Sequence, residues 1–419
     1  MQDRTYKRLS LRKNFAWSFV GNIIYGFCMW LMLMFMTKLL PEEDVGMFLL
    51  ATAIITPIQV FTNFQLRAVQ GSDAKNEYCF GEYFALRMIT VTFMAVLALM
   101  ISLFLGRGIR MVLIMVAVTL YKSADCYSDI TYGLLQKYER LDKVALSRII
   151  RGMAGTLIFI TVLLLTRDLS LSFIGVAVLW GCIFLFFDLF SVRRFEKARP
   201  IFSQQRLVKL GIISMPLGVT MAIASLNAGI PRYFTAKYLG NAQLAYFGVL
   251  AYIIAALQTA ISAIGPSALP RLSRYYIGNI RAYGKLLFKM VLVAFGLGLI
   301  GVLFGIFLGK PFLTFAYTSK YAQHQTLFLI ILITGGVGYM STMLCVGLTA
   351  ARRFKVQVPL SAAVTLVLLI CCRFLVPRFG TIGAALAMLI GSSALGIGAL
   401  AIIIQNIAFR KKCTGVKSE

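Results

Sequence analysis

Within an apolar run that begins at Met111, the stretch "YKSADCYSDITYGLLQKYER" (121–140) places Lys122, Asp125, Asp129 and Tyr132 at i, i+3, i+7 and i+10. On a helix that spacing gathers all four on one face. A charged side chain at the centre of a membrane helix costs ~2.5–3.5 kcal/mol on insertion scales, so this face must look onto protein or water rather than lipid. Two chemistries suit it. Lys122 and Asp125 can pair within the helix as part of a buried ion-pair network, which leaves Asp129 without an assigned partner. Alternatively, Asp125 and Asp129 are coupling carboxylates for H+ or Na+ beside a wet pathway.

Other polar residues at membrane depth could line the same cavity. They are Asn14, Asn22, Gln59, Asn63 and Arg67 early in the chain, then Arg87, Arg148 and Arg151. From the second half come Asn227, Arg232, Gln258, Arg271 and Arg373. Arg148 and Arg151 stand one turn apart at the start of their helix, while Arg67 and Arg271 end their spans on the same membrane side. A ring of guanidinium forks there suits a pyrophosphate, because Arg grips phosphate bidentately and stays charged. Any one of them alone also fits a snorkelling anchor. Arg87, about five residues inside its expected span, fits that reading least.

The elements that must position these groups are membrane helices. The chain has 419 residues, 59% of them hydrophobic, and a mean hydropathy of +0.83. Windows long enough to cross the hydrocarbon core recur along it. The expected spans are 14–38, 45–68, 82–105, 110–135, 147–166, 170–192, 208–231, 243–269, 285–309, 324–349, 357–377 and 380–407. The net charge of +27 invites a nucleic-acid reading, which the distribution of charge excludes. About 30 of the Lys and Arg residues fall in the tails and alternate loops and about nine in the others, the positive-inside pattern. Both termini are therefore expected in the cytoplasm, with anionic lipid headgroups as partners of the basic loops. With no CxxC spacing and one histidine, His324, no metal, disulfide or other cofactor site is expected.

The basic segment 193–209 divides an N-lobe of six spans (1–192) from a C-lobe of six (210–419). A shift of 199 residues lays 38–59 over 237–258 and matches Lys38, Leu40, Phe48, Ile54, Ile55 and Gln59 to Lys237, Leu239, Phe247, Ile253, Ile254 and Gln258. "YGLLQKYER" after the fourth span is echoed by "VGLTAARRF" after the tenth. Even numbers of spans give the two halves the same orientation, so they form parallel repeats about an axis along the membrane normal. Pro57, Pro216, Pro266 and Pro359 lie inside spans, and Pro216 and Pro266 are candidate bends for rocking lobes. The glycines around Gly335 lack the GK[ST] of a phosphate loop and read as close helix packing. No nucleophile, base and orienter set appears, so no enzyme is expected.

The segment "LRKNFAWSFVGNIIYGFCMWLMLMFMTKLLPEEDVGMFLLATAIITPIQVFTNFQLRAVQ" resembles the opening of bacterial polysaccharide flippases of the Wzx or polysaccharide-transporter type. The shared features are a Lys-Asn-Phe entry, a Gly-Asn in the first helix, a K-L-L-P turn and a V-G-x-F start to the second. "YKSADCYSDITYGLLQKYERLDKVALSRIIRG" is similar to their fourth and fifth helices.

The resemblance implies the multidrug/oligosaccharidyl-lipid/polysaccharide (MOP) exporter fold, all-α and MATE-like, with two six-helix lobes around a cationic cavity. It also implies flipping of a polyprenyl-pyrophosphate-linked oligosaccharide repeat unit of O-antigen, capsule or exopolysaccharide from the cytoplasmic to the outer leaflet of the bacterial inner or plasma membrane. Alternating access, coupled to an ion gradient or the membrane potential, is the expected mechanism. The polysaccharide polymerase machinery is a further expected partner. A multidrug or cation antiporter of the related MATE family and a membrane polysaccharide polymerase or ligase stay open as alternatives. The loop "GSDAKNEYCFGE" lacks the Gly-x-x-x-Asp-Arg-x-Gly pattern of major-facilitator transporters.

Overall fold

The computed structural model describes the backbone of residues 9–73, 77–262, 264–351 and 353–413; within these, the side chains of residues 11, 72, 220, 255–257, 259–262, 264–267, 270, 354, 355 and 408–413, Pro266 among them, lie outside the described set. Among the described residues the secondary structure is helical throughout. The chain divides into two compact units, Met1–Ser225 and Leu226–Glu419.

In the first unit α1 (Leu11–Leu39) packs along α6 (Leu141–Thr166). α5 (Ile109–Lys137) lies against α2 (Glu42–Thr62), α3 (Leu66–Ser72), α4 (Phe80–Phe104) and α7 (Leu169–Ile183). Local chemistry sets the helix starts. The Ser10 side chain accepts from the Lys13 N–H, and Asp168 Oδ1 accepts from the Leu171 N–H at 2.9 Å. Glu82 reaches back to the Cys79 N–H at 3.0 Å. Glu42, Glu43 and Asp44 fill the first turn of α2, where the helix dipole favours acids.

Two irregularities interrupt expected spans. The second span breaks between α2 and α3, where Phe64 and Gln65 take left-handed φ values of 47° and 50°. The sixth passes through a π turn, Phe184–Asp188, before α8 (Leu189–Arg193).

The segment expected to be a cytoplasmic linker is fastened to the first unit. Glu196 accepts from the Phe80 N–H at 2.8 Å, the Ile201 N–H donates to Gly81 O at 2.9 Å, and Arg206 pairs with Glu82. Leu207 and Leu210, at the start of α9 (Gln204–Ser262), join the core formed by Phe80, Tyr83, Phe84, Ile130 and Leu134. The early part of α9 therefore belongs to the first compact unit.

In the second unit α10 (Ile264–Gly278) precedes α11 (Ile280–Ala316), and the short α12 (Ser319–Ala322) leads into α13 (Gln325–Ala350). α13 packs against both α11 and α14 (Phe354–Cys413). The glycine-rich stretch does serve packing: a Cβ on Gly298 of α11 would lie 2.6 Å from Gly336 Cα of α13. Each of α9 and α14 covers two expected spans and turns at one non-helical residue, Gly240 (φ 86°) and Gly380 (φ 61°). Pro57, Pro216 and Pro359 lie within α2, α9 and α14.

Nine described helices are long and apolar enough to cross a membrane. The nine do not include α5, which carries Lys122, Asp125 and Asp129. The chain is an all-α, multi-pass membrane protein.

Candidate functional site

The polar face of α5 is the axis of the site, and each of its acids is met by a neighbouring helix. Asp129 Oδ1 accepts from Arg67 Nη1 at 3.4 Å, and its Oδ2 from Arg87 Nη2 at 3.5 Å. Arg67 also donates through Nε to Gln136 at 3.2 Å, and Arg87 donates to Asn63 Oδ1. Four residues further up α5, Asp125 Oδ1 accepts from Arg151 Nη2 at 3.2 Å. Sequence had offered Lys122 to Asp125 and nothing to Asp129; the structure supplies three arginines from α3, α4 and α6.

Tyr132 ties the two pairs together. Its hydroxyl accepts from Arg151 Nη1 at 3.2 Å and lies 2.8 Å from Ser147 Oγ. The guanidinium carbons of Arg67 and Arg148 each stand 5.6 Å from the centre of its ring. Arg148 also donates to Asn22 Oδ1. Arg151 in turn lies over Trp180, 4.0 Å from the ring centre, and its carbonyl accepts from Trp180 Nε1 at 3.1 Å. Lys122 Nζ sits 5.7 Å from the Tyr121 ring centre. Gln59 Nε2 donates to Cys126 Sγ at 3.5 Å.

Burial sorts these groups into two layers. Arg87 and Arg151 are closed off, with side chains 0% and 1% exposed, whereas Arg67, Asp129 and Asp125 keep 26%, 28% and 38%. A buried guanidinium is tolerable only when paired and hydrogen-bonded, which Asp129 with Asn63, and Asp125 with Tyr132, provide. The inner arginines hold the carboxylates in place. The outer ones, Arg67 and Arg148, face accessible space.

This arrangement depends on α3 lying close to α5. A Cβ on Gly133 would strike the Gln70 side-chain oxygen and come within 3.2 Å of Arg67 Cα. Glycine at that position lets α3 approach α5 closely, which brings Arg67 within reach of Asp129.

Asn14 stands apart from this cluster, its Oδ1 accepting from the Leu141 N–H at 3.1 Å at the start of α6, and the remaining expected site residues belong to the second unit. Asn227 Oδ1 accepts from Thr365 at 2.8 Å, Gln258 Nε2 donates to Thr342 at 2.9 Å, and Arg271 is exposed on α10. Gln59 and Gln258, paired by the 199-residue shift, thus bond to helices α5 and α13, which the second sequence echo also pairs.

Asp188 was missed from the sequence. It is wholly buried on the π turn, in the electrostatic neighbourhood of Ser128, Ser147 and Arg151. An acid inside "FLFFDLF" was itself the available signal. Trp180 carried no such signal, since nothing in sequence ties it to an arginine 29 residues away. Even with Asp188 counted as ionised, five cations (Arg67, Arg87, Lys122, Arg148, Arg151) outnumber three acids, so the cluster suits an anion.

An arginine-rich polar network held within apolar helices, in an all-α multi-pass fold, defines an integral membrane protein with a cationic site inside its first unit. The chain belongs to the family described as polysaccharide biosynthesis protein, whose model matches residues 11–276. It is 26% identical over 388 residues to the capsular polysaccharide biosynthesis protein CapF of Staphylococcus aureus, covering 90% of this chain and 95% of that one. Its fold matches the lipid II flippase MurJ in an inward closed conformation with a TM-score of 0.71 at 13% identity, covering 97% and 93% of the two chains. It also matches an inward-facing MATE family transporter of the MOP superfamily with a TM-score of 0.68 at 13% identity, covering 94% and 99%. The chain therefore shares its fold with MurJ and with MATE transporters, the fold that the sequence resemblance implied.

Proposed function

We propose that this protein flips a polyprenyl-pyrophosphate-linked oligosaccharide repeat unit from the cytoplasmic to the outer leaflet of the bacterial inner or plasma membrane by alternating access. The observation that carries the reading is the cationic surplus around Tyr132, with Arg67 and Arg148 presented on the open side. A sugar chain cannot cross hydrocarbon unaided, and the pyrophosphate is the group such a surplus would hold. Membership of a polysaccharide biosynthesis family and likeness to a lipid II flippase support the same substrate class. The lobe plan (1–192 and 210–419 joined by 193–209), the count of twelve spans and cytoplasmic termini belong to this proposal. So do anionic lipids and the polymerase machinery as partners.

Asp125 and Asp129 are the coupling candidates, and the membrane potential is a second source of drive. Moving one negative charge outward across an inside-negative membrane gains about 2.3 kcal/mol per 100 mV. The MATE-like fold keeps a drug antiporter as the second reading. The charge opposes it, because residues 197–418 contain no Asp or Glu to receive an organic cation.

Deleting the gene tests the proposal. Surface polysaccharide should be lost while lipid-linked repeat units stay on the cytoplasmic leaflet. Repeat units exposed outside but unpolymerised would overturn it in favour of a polymerase or ligase. In the same cells, a D125N/D129N double variant should accumulate inner-leaflet repeat units, and normal export by that variant would remove both acids from the coupling role.

A further inference from the structure

The second compact unit contains eighteen Lys and Arg residues and a single acid, Glu419. Its described cations thus have no described carboxylate within the unit. Two of them nevertheless converge on one ring: Lys237 Nζ and Arg373 Cζ each lie 5.8 Å from the centre of Tyr238. Both cations are exposed, and among the described residues neither makes a hydrogen bond or ion pair. Phe234 stands 6.0 Å from Tyr238 and the exposed Tyr233 stands 6.0 Å from Phe234, so the cations edge an aromatic surface.

The position within the unit is defined. Lys237 precedes the turn at Gly240, and Arg373 lies seven residues before the turn at Gly380. A Cβ on Gly380 would be 3.9 Å from Leu239, so the two turns adjoin. Tyr246 contacts Tyr321 and His324, with ring centres at 5.1 and 4.3 Å, which brings the α12 region to the same end. Arg271 and Arg274 lie on α10, Arg281 at the start of α11 and Arg353 just before α14, away from these two turns in the chain. By the charge asymmetry of the loops, the Gly240 and Gly380 end is the outer one. At 1.5 Å per residue, Lys237 and Arg373 sit roughly 5 and 10 Å from their turns, near headgroup depth.

A lone cation at that depth reads as a snorkelling anchor. Two that share a ring and lack a counter-ion repel each other unless an anion joins them. We propose that Lys237, Arg373 and the face of Tyr238 form a phosphate-binding site on the outer side of the second unit. Its ligand is a phosphate or pyrophosphate ester at the membrane surface. A role as the station that receives the pyrophosphate after transport rests on the flippase reading; binding itself does not.

The test measures equilibrium binding of radiolabelled farnesyl pyrophosphate to the detergent-solubilised full-length protein. An R67Q/R148Q background removes the proposed first-unit contacts. Adding K237Q/R373Q to that background should weaken the remaining binding at least tenfold, Y238L about threefold, and K237R/R373K less than twofold. Farnesol should not compete.

Competition by phosphatidylglycerol at equal concentration would assign the site to ordinary headgroups, and its failure would assign it to pyrophosphate esters; both support the phosphate site. Equal binding with and without K237Q/R373Q, or no binding left in the R67Q/R148Q background, would overturn it. The single R373Q variant, with an expected loss of about fivefold, covers misfolding of the double variant. Unchanged binding in R67Q/R148Q alone would instead count against the first-unit site and leave this one standing.

Discussion

At the scale of residues, the site separates groups that hold from groups that receive. Arg87 and Arg151 are held by Asn63, Asp129, Asp125 and Tyr132, so removing Arg87 takes one of the two arginines from Asp129 and the donor from Asn63, and removing Arg151 takes the arginine from Asp125. R87Q and R151Q should each lower stability by about 2–3 kcal/mol, less than for a wholly buried pair because the carboxylates retain some solvent. R67Q and R148Q should leave the melting temperature within a degree or two while cutting transport at least tenfold. Thermal unfolding of the purified protein, set beside export of lipid-linked repeat units, distinguishes the two classes. Equal loss of stability in all four variants would refute the division. Most of these residues were visible in the sequence, because an ionisable group inside an apolar run is costly and hence conspicuous. Their pairing was not visible. Asp129 lies 62 and 42 residues from the two arginines it joins, and helix periodicity speaks only to neighbours on the same helix.

At the scale of elements, the break between α2 and α3 and the contact at Gly133 aim Arg67 at α5. Phe64 and Gln65 hold left-handed backbone without being glycine, which costs roughly 1–2 kcal/mol per residue. Gln65→Gly should therefore raise stability by about 0.5–1 kcal/mol, the conformational relief outweighing the added freedom of the unfolded chain. Gly133→Leu should push α3 away and abolish transport with Arg67 still present. Both are measurable by thermal unfolding and the export assay, and full export by Gly133→Leu would remove the contact from the account.

The expected span ends fell within a few residues of most helices, since hydropathy reports where lipid begins. The break at Asn63–Gln65 left no comparable trace. It carries neither Gly nor Pro, and tertiary packing alone overrides the helical preference there. The π turn at Phe184–Asp188 was equally silent, being apolar on both sides of one acid.

At the scale of the whole molecule, charge is distributed as unevenly along the chain as hydropathy is evenly. Every acid but Glu419 lies at or before Glu196. A transporter of this composition should favour anions and respond to potential. In proteoliposomes, outward movement of a fluorescent polyprenyl-pyrophosphate sugar should accelerate several-fold when a potassium diffusion potential makes the cytoplasmic side about 100 mV negative. A rate that is flat from zero to that potential would exclude the potential as a drive. Fold class and family were legible from composition and from the first sixty or so residues. The division of the chain inside α9 was not, because it depends on Leu207 and Leu210 finding the core of the first unit.

The stacking of Trp180 on Arg151 has an optical consequence. The chain has three tryptophans, and Trp180 is wholly buried with a guanidinium 4.0 Å from its ring centre. In a W17F/W30F background its emission should report on Arg151, shifting in wavelength or intensity when a pyrophosphate ester draws on the arginine cluster. The molecule thus carries its own label at the inner layer of the site, and the order in which ligand arrives and helices rearrange could be timed without attaching a dye.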